Sequence, residues 1–283
     1  MTRIDRRALF KTGSAAALLA AVGVSAEAAP ARGGHLRAAL SGGDRAENWL
    51  TVPGGRFLQA ARNAVFETLT EIAADGTLQP GLADAWQMQD AGRIWDFHLA
   101  QGVLFHDGSA LRAEDVLASL RAAGLEASLA DGAVRVTLAA PDPAFPFRAA
   151  QQGLAVFKAD EIAAGRLVNG TGLYRIKRFD AGRGFLGERV AQHRKDGKAG
   201  WFDTLELVAI SDEHVRAEAI RDGFVDVADL GAAHDLDGMP GIRLIHDGNA
   251  VGAALRDEVR HAMRTGEHPL DDMRFAERWW ARA

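Results

Sequence analysis

Histidine and acidic side chains gather around one predicted turn, where they could carry acid–base chemistry or hold a metal ion. His98, His106 and Asp107 are the potential metal ligands, and Asp107 with Glu114 or Asp115 is the potential acid pair. However, His98 shares a strand-like segment with alternating apolar residues, and no His-x-x-x-His spacing or acidic triad accompanies these side chains. The pattern favours structural roles and predicts no metal site.

Other catalytic patterns are equally weak. Serine, histidine and aspartate residues are scattered without a Gly-x-Ser-x-Gly elbow. Gly182-Arg183-Gly184 resembles a phosphate loop but has no helix behind it, which is typical of a turn. The 283 residues contain no cysteine, which excludes disulfides, thiolate metal sites and a cysteine nucleophile here. The sequence therefore predicts no catalytic residues, no cofactor and a protein that is not an enzyme.

Segment 94–99 alternates between apolar and polar residues. This period of two predicts a half-buried strand with Trp95, Phe97 and Leu99 on its core face. We expect Trp86 to join Trp95 and Phe97 in one core, so that this segment is structural.

A turn and a helix follow this strand. Asp107-Gly108 is a turn dipeptide because glycine accepts positive φ without steric cost. The acidic residues after Ala113 predict the first turn of a helix that ends at Gly124, where a left-handed cap is easily formed.

Ordered motifs in this region carry a family resemblance. They are Gly-x-Leu-x-Pro-Gly-Leu-Ala-Asp-Ala-Trp at 76–86, Gly-Val-x-Phe-His-Asp-Gly at 102–108, Ala-Glu-Asp-Val at 113–116, Gly-Thr-Gly-Leu-Tyr at 170–174, Glu188-Arg189, and the run 216–226. Together they resemble the first lobe of the family 5 solute-binding proteins, which serve oligopeptide, dipeptide and nickel ABC importers. The resemblance implies an α/β fold of the type II periplasmic binding protein class, with lobe one at 29–254 and an inserted β-rich subdomain at about 56–150.

The sequence departs from the family pattern at three places. Leu173 replaces a proline, and the run 190–196 stands where the family usually has an Asn-Pro-x-Tyr-Trp-like motif. Residues 255–263 resemble the helix that enters the second lobe, but the chain stops at Ala283. The resemblance thus covers most of lobe one, and 255–283 is predicted to be a helical segment whose closing helix carries Trp279 and Trp280.

The N-terminus has the pattern of an export signal. Arg6 and Arg7 resemble the twin-arginine motif, and Ser14 to Val24 is an apolar run too short to span about 30 Å of hydrocarbon. Ala26 and Ala28 form a small-x-small cleavage signal. We expect residues 1–28 to be a signal peptide of twin-arginine type.

Composition narrows the choice of partners. The formal net charge is −5 and 48% of the residues are hydrophobic. A mildly acidic chain without clustered Lys and Arg is a poor partner for nucleic acid, whereas this apolar fraction can fill a sizeable core. The absence of a lipid-carrying cysteine predicts a freely soluble periplasmic protein.

Hydrophobic periodicity places elements outside the central region. Apolar residues spaced by three and four over 56–69 predict a helix that packs on a sheet. Residues 174–190 predict a hairpin. A strand at 205–210, a helix capped by Asp212 and a strand at 224–227 form a β-α-β unit, which implies parallel strands.

Four residues are predicted to bind substrate. Asn48 and Trp49 lie in the loop after the first strand, which faces the cleft in the family. Thr171 and Gly172 belong to the motif near the lobe junction. For Trp49 the alternative is that the indole plugs a local gap in packing.

Two functions remain open on the sequence. The first is the solute-binding component of an ABC-type importer, with a small solute such as a peptide as ligand and an inner-membrane permease as partner. The second is a one-lobed, degenerate binding fold that acts as a periplasmic accessory or docking protein without transport. A homodimer through the exposed cleft face around Trp49 would supply a second wall for the ligand.

Overall fold

Two β-sheets dominate the computed structural model, which describes residues 32–50, 54–73, 76–247, 250–261 and 280–282. The predicted signal peptide, with Arg6, Arg7, Ala26 and Ala28, lies outside the described residues. No helix within these ranges is both long and apolar enough to cross a membrane.

The elements are numbered in chain order. The strands are β1 (His35–Leu40), β2 (Thr70–Ile72), β3 (Leu78–Pro80), β4 (Ala83–Gln89), β5 (Ile94–Leu99), β6 (Glu126–Ala130), β7 (Ala133–Thr137), β8 (Tyr174–Asp180), β9 (Gly184–Arg189), β10 (Thr204–Ala209), β11 (Val227–Asp229), β12 (Ile242–Asp247), β13 (Ala250–Arg256), β14 (Val259–His261) and β15 (Trp280–Arg282). The α-helices are α1 (Arg56–Val65), α2 (Ala113–Ala122), α3 (Phe145–Ala149), α4 (Ala159–Ala164) and α5 (Glu213–Arg221).

The large sheet has the order β12-β13-β11-β1-β10-β9-β8 over the described strands. Its centre is parallel, because β1 pairs in parallel with both β10 and β11, and the outer strands are antiparallel. The predicted hairpin is confirmed as β8–β9. The predicted order of strand, helix and strand is confirmed as β10–α5–β11, with β1 inserted between the two strands. The second strand was predicted at 224–227 and this bound is wrong, because exposed Phe224 belongs to the turn before β11.

The two faces of the large sheet carry helices from different connections. Leu36, Ala38 and Leu40 of β1 pack with α1 on one face. Ala39 packs with Ala217 of α5 on the other face. Since successive strand residues point to opposite faces, the apolar run of β1 serves both cores, as expected for a central strand covered on both sides.

Helix α1 is shorter than the sequence predicts and belongs to the large sheet. The Val65 carbonyl, which would bond to the amide of Leu69 in a longer helix, instead accepts from Gly172 N at 2.8 Å. The chain therefore becomes extended at Phe66 (φ −117°, ψ 142°). The subdomain boundary predicted at about 56 is wrong, because α1 packs in the core of the large sheet. The second core begins at Leu69.

The small sheet has the order β4-β5-β7-β6 and forms the inserted subdomain together with α2 and α3. The predicted core is confirmed: Trp95 and Phe97 are buried and Trp86 is half-buried against them. On the opposite face of β5, Asp96 pairs with Arg135 of β7 through two hydrogen bonds of 2.7 Å.

The turn at Asp107-Gly108 and the helix after it are confirmed. Gly108 has φ +84° and α2 ends before Gly124 at φ +82°. Asp115 is buried, and its carboxylate accepts from Arg112 N and from Ala159 N, both at 2.9 Å. This acidic residue therefore caps its own helix and fixes the start of α4.

The C-terminal prediction is wrong within the described residues. The predicted helix at 255–263 is replaced by the end of β13 and by β14, and Trp280 lies in β15, which pairs with β14. The physical reason is that Ala253 and Leu255 pair with β11 and are buried there, so this apolar run extends the large sheet. Trp279 lies outside the described residues.

Candidate functional site

The carboxyl ends of β1, β10 and β11 meet at one edge of the large sheet, which we call the carboxyl edge. From there β1 leads to α1 on one face, whereas β10 leads to α5 on the opposite face. Connections that diverge in this way leave a crevice between neighbouring strands, and open α/β sheets bind ligands at such switch points. The topology thus indicates the carboxyl edge as the candidate site.

The loop after β1 closes over this edge through two glycine contacts. A Cβ added to Gly42 would lie 2.9 Å from Gly55 Cα, and one added to Gly43 would lie 2.9 Å from Gly182 O. Gly42 and Gly43 have φ of +92° and +97°, which L-residues with side chains rarely adopt. These glycines let both ends of the loop and the β8–β9 turn approach one another closely.

A buried carboxylate ties the loop to two strands. Asp229, at the end of β11, accepts hydrogen bonds from Ser41 N at 2.9 Å and from the Ser41 hydroxyl. Arg216 Nε lies 2.8 Å from Asp229 Oδ1, and each side chain is only 5% exposed. Arg216 Nη1 also donates to the Ile210 carbonyl at 2.6 Å. The ends of all three parallel strands are therefore fixed by one ion pair.

The N-terminus of α5 adds polar groups at the same edge. Asp212 caps the helix by accepting from His214 N and Val215 N. The Glu213 carboxylate accepts from Gly231 N at 2.9 Å and from His234 Nε2 at 2.9 Å, and these donors lower its pKa. Within the described ranges no three His, Cys, Asp or Glu side chains are arranged to hold a metal ion.

The first two predicted binding residues differ in where their side chains lie. Asn48 is exposed and its Oδ1 accepts from Leu50 N at 2.9 Å, so it shapes the loop and still reaches solvent. Trp49 is 8% exposed. Its ring stacks on Phe179 with centroids 4.1 Å apart and meets Phe66 edge-on. This packing agrees with the alternative in which the indole fills a local gap, and contact of Trp49 with a ligand stays a prediction.

The other two predicted residues lie at the C-terminal end of α1. Thr171 is buried, and its carbonyl accepts from His193 Nε2 at 2.8 Å. The Gly172 carbonyl accepts from His106 Nε2 at 2.8 Å. Gly172 N donates to Val65 O at the C-terminal end of α1, and the Trp49 ring meets Phe66, which follows Val65. Thr171 and Trp49 are thus buried in the packing around this end, whereas Asn48 is exposed.

A buried charge cluster stands beside Thr171. Glu67 is 2% exposed, and its Oε1 lies 2.6 Å from Arg194 Nη2 and 2.9 Å from Lys195 Nζ. Burial alone would raise the pKa of Glu67, but the charges of Lys195 and Arg194 hold it well below its usual value. Lys195 also pairs with Glu71. This cluster fastens segment 193–195 to the chain that leaves α1.

The junction beside α1 needs glycine. A Cβ on Gly170 would lie 1.8 Å from Val65 O, a distance that requires the backbone to move. We expect Gly170→Ala to destabilise the protein by about 3 kcal/mol, at the upper end of the usual overpacking range. Gly184→Ala is the matched control, because its nearest neighbour would be 3.6 Å away. Urea unfolding of both variants tests this, and equal midpoints would contradict the packing.

The remaining chemical candidates have structural partners. Burial lowers the pKa of His106, whose Nε2 donates to Gly172 O and whose Nδ1 faces Gly170 N at 3.4 Å. Asp107 pairs with Lys158 and Ser109, and these partners lower its pKa to about 2. The Asp107 carboxylate accepts from the Ser109 hydroxyl at 2.7 Å, but with its lowered pKa it is a poor base, so this contact holds the turn in place.

A cavity of about 640 Å³ lies at the opposite edge of the large sheet. Its charged residues pair among themselves: His35 with Glu206 at 3.2 Å and Arg37 with Asp226 at 3.7 Å. We call this the amino-edge cavity. This cavity does not lie at the switch point, and it is the competing location for a ligand.

Comparison with known proteins decides the family. Residues 77–247, more than half of the chain, match the profile of "Bacterial extracellular solute-binding proteins, family 5 Middle". The chain belongs to this family. As the description of the profile says, members of the family are extracellular solute-binding proteins of bacteria.

Curated relatives match this family 5 chain over short segments. Di/tripeptide-binding protein 1 of Pseudomonas aeruginosa (strain UCBPP-PA14) is 43% identical over 53 residues, which cover 18% of this chain and 10% of that protein. The nickel-binding periplasmic protein of Escherichia coli (strain K12) is 36% identical over 62 residues, covering 22% and 12%.

Solved structures share the type II periplasmic binding protein fold. AgaA of A. tumefaciens R10, in complex with agropinic acid, superposes with a TM-score of 0.67 at 24% identity, covering 76% of this chain and 48% of that one. Escherichia coli MppA gives 0.66 at 16% identity, covering 78% and 51%. This family 5 chain thus spans about half the length of these structures, consistent with a single lobe. The predicted family and fold class are confirmed.

Sequence reasoning missed Ser41, Arg216 and Asp229 at the carboxyl edge. Arg216 belongs to the run 216–226 that resembles the family, but nothing in this run indicates that Arg216 pairs with Asp229. The signal that could have found Asp229 is its position, since an acidic residue at the end of a buried parallel strand faces the switch point.

Proposed function

We propose that this protein is the periplasmic solute-binding component of an ABC-type importer, with a peptide or a related small solute as ligand. The observation that carries the proposal is the topological switch point at the carboxyl edge of a family 5 fold, where the glycine-closed loop, Ser41 and the Arg216–Asp229 pair meet. Asn48, exposed on that loop, remains a proposed ligand contact. Binding would hand the solute to a permease in the inner membrane.

Thermal shift of the full chain tests the proposal. The panel contains dialanine, trialanine, tetraalanine and a nickel–histidine chelate. A ligand at one hundred times its Kd adds about 2.7 kcal/mol of stability, which corresponds to a rise in melting temperature of about 5 to 10 °C for a chain of this size. The absence of any shift across the panel would contradict solute binding and would favour the accessory or docking function.

The export route forms part of the proposal. We expect replacement of both Arg6 and Arg7 by Lys to leave uncleaved precursor in the cytoplasm, because the twin-arginine pair precedes a short apolar run that ends at Ala26 and Ala28. Cell fractionation followed by N-terminal sequencing provides the measurement. A mature form that begins near Ala29 in the double variant would contradict this route.

The homodimer stays a prediction, but the predicted contact around Trp49 has to change. Trp49 is buried, so it cannot supply exposed aromatic surface to a partner. Any second wall for the ligand would have to face Asn48 and the carboxyl edge instead.

A further inference from the structure

We propose that His106 and His193 form a proton-sensitive clamp on segment 170–172, which opens in acid and loosens the inserted subdomain from the large sheet. His106 lies between β5 and α2 of the inserted subdomain, and His193 follows β9 of the large sheet. Both rings bind the same short segment. The clamp is a property of the fold and goes beyond the proposed function.

The His106 ring is held by contacts on both of its nitrogens. Its Nε2 donates to the Gly172 carbonyl at 2.8 Å, and its Nδ1 faces Gly170 N at 3.4 Å. A backbone N–H can only donate, so Nδ1 must be an acceptor. His106 therefore holds the segment in its neutral form, with its proton on Nε2.

His193 repeats this arrangement. Its Nε2 donates to the Thr171 carbonyl at 2.8 Å, and its Nδ1 accepts from Lys195 N at 3.1 Å. The side chain is only 8% exposed. A proton on Nδ1 of either ring would place two donors against each other and would remove a hydrogen bond. Protonation therefore opposes the clamp at both histidines.

Segment 170–172 has a separate anchor on α1. Gly172 N donates to Val65 O at 2.8 Å. A Cβ added to Gly172 would lie 2.6 Å from Ala64 O, so the segment packs directly on the end of the helix. Because this anchor contains no titratable group, it should persist in acid, and the hydrogen bonds to the two rings are the ones that break.

Burial opposes the charged form of His106. It lowers the pKa of His106, whereas the hydrogen bond to Gly172 O and the charge of Glu67 act in the opposite direction. Burial prevails, because Glu67 is already paired with Arg194 and Lys195. The charged groups around the two rings are Glu67, Glu71, Arg175, Arg194, Lys195 and Asp196.

Acid should open the clamp because the open form binds protons more readily. A released His106 has the ordinary histidine pKa of about 6.5, and the clamped ring has a lower pKa. The contribution of His106 to the clamp is therefore complete above about pH 6.5 and is lost as the pH falls toward the pKa of the clamped ring.

Amide hydrogen exchange of the full chain, followed by NMR between about pH 7.5 and 5, tests the clamp. The protection factor of the Gly170 amide should fall about tenfold on acidification, and that of the Lys195 amide should fall with it. The Gly172 amide donates to Val65 O and should keep its protection.

One variant assigns the proton to His106. His106→Gln keeps a neutral N–H donor for the Gly172 carbonyl but cannot take up a proton, so the protection factor of Gly170 should no longer depend on pH. His214→Gln is the matched control, because the His214 side chain is 68% exposed on α5. This control should leave the pH dependence at Gly170 unchanged.

The wild-type titration decides the clamp even where a variant does not fold. Protection of Gly170 and Lys195 that does not change with pH would overturn the clamp. A parallel loss of protection at Gly172 would show a general opening of this region and would also overturn it. Persistence of the pH dependence at Gly170 in His106→Gln would overturn the role of His106. Solute binding is tested separately by thermal shift.

Discussion

Replacing Glu67 by Gln is expected to lower the free energy of unfolding by about 3 to 5 kcal/mol, the usual cost of breaking a buried ion pair from one side. The reason is that Arg194 and Lys195 would lose the carboxylate at 2.6 and 2.9 Å while Lys195 stays 11% exposed. Glu71 still pairs with Lys195, so we expect the lower end of this range.

Urea unfolding at pH 7 provides the measurement. The control is Glu188→Gln, which removes a carboxylate from the exposed pair with Arg175 on the β8–β9 hairpin. The control should leave the unfolding midpoint almost unchanged, because exposed ion pairs contribute little. Two variants of equal stability would show that the Glu67 cluster is not a buried anchor.

The Glu67→Gln variant also tests how the free energy of unfolding depends on pH. The pKa of Glu67 is lowered in the folded state, so its stabilising contribution is complete above the unfolded pKa of about 4.3 and is lost as the pH falls toward the folded pKa. The stability difference between wild type and Glu67→Gln should therefore be constant between about pH 5 and 7. It should shrink below about pH 4. A difference that grows on acidification would contradict the assignment.

Trp95→Ala is the second change with a large expected effect, about 3 to 5 kcal/mol of lost stability. The side chain is 5% exposed in the second core, and its Nε1 donates to the Gly92 carbonyl at 3.1 Å and to the Asp142 carbonyl at 3.2 Å. Truncation would leave a cavity and two buried acceptors without this donor.

Met88 supplies the matched control for Trp95. It stands opposite Trp95 in the β4–β5 ladder but is 52% exposed. Met88→Ala should change stability by no more than about 0.5 kcal/mol. Urea unfolding followed by circular dichroism compares the two variants, and a Trp95→Ala protein as stable as Met88→Ala would show that the face assignment of β5 is wrong.

Local periodicity predicted the elements whose burial is one-sided. Segment 94–99 alternates because one face of β5 packs in the core. Helix α2 begins with acidic residues and ends before Gly124, and both signals are visible in the sequence. The order strand, helix, strand over β10, α5 and β11 was also predicted from the local pattern. Strands β4 and β6 were missed because ADAWQMQ and EASLA are poor in β-branched residues, and cross-strand pairing decides their conformation.

Errors occurred where tertiary contacts override local pattern. The helix predicted over 56–69 ends at Val65 because the Val65 carbonyl accepts a hydrogen bond from Gly172 N, which is distant in sequence. The helix predicted at 255–263 is wrong because pattern alone cannot show that β11 needs an antiparallel neighbour. Both cases depend on residues more than twenty positions away in sequence.

The candidate site was only partly predictable for a similar reason. The sequence correctly placed a loop after β1, and Asn48 is exposed on it. The pairing of Asp229 with Arg216 and Ser41 requires three strand ends to meet, and one sequence does not show which ends are neighbours. For Trp49 the sequence left ligand contact and packing both open, because local sequence does not show whether an indole is buried.

Amide chemical-shift mapping with trialanine tests the central claim most directly, since it locates a bound solute on the fold. We expect the largest shifts on titration at the carboxyl edge, at the amides of Ser41, Asn48 and Gly231. Shifts concentrated instead at Arg37 and Asp226, which line the amino-edge cavity, would contradict the site.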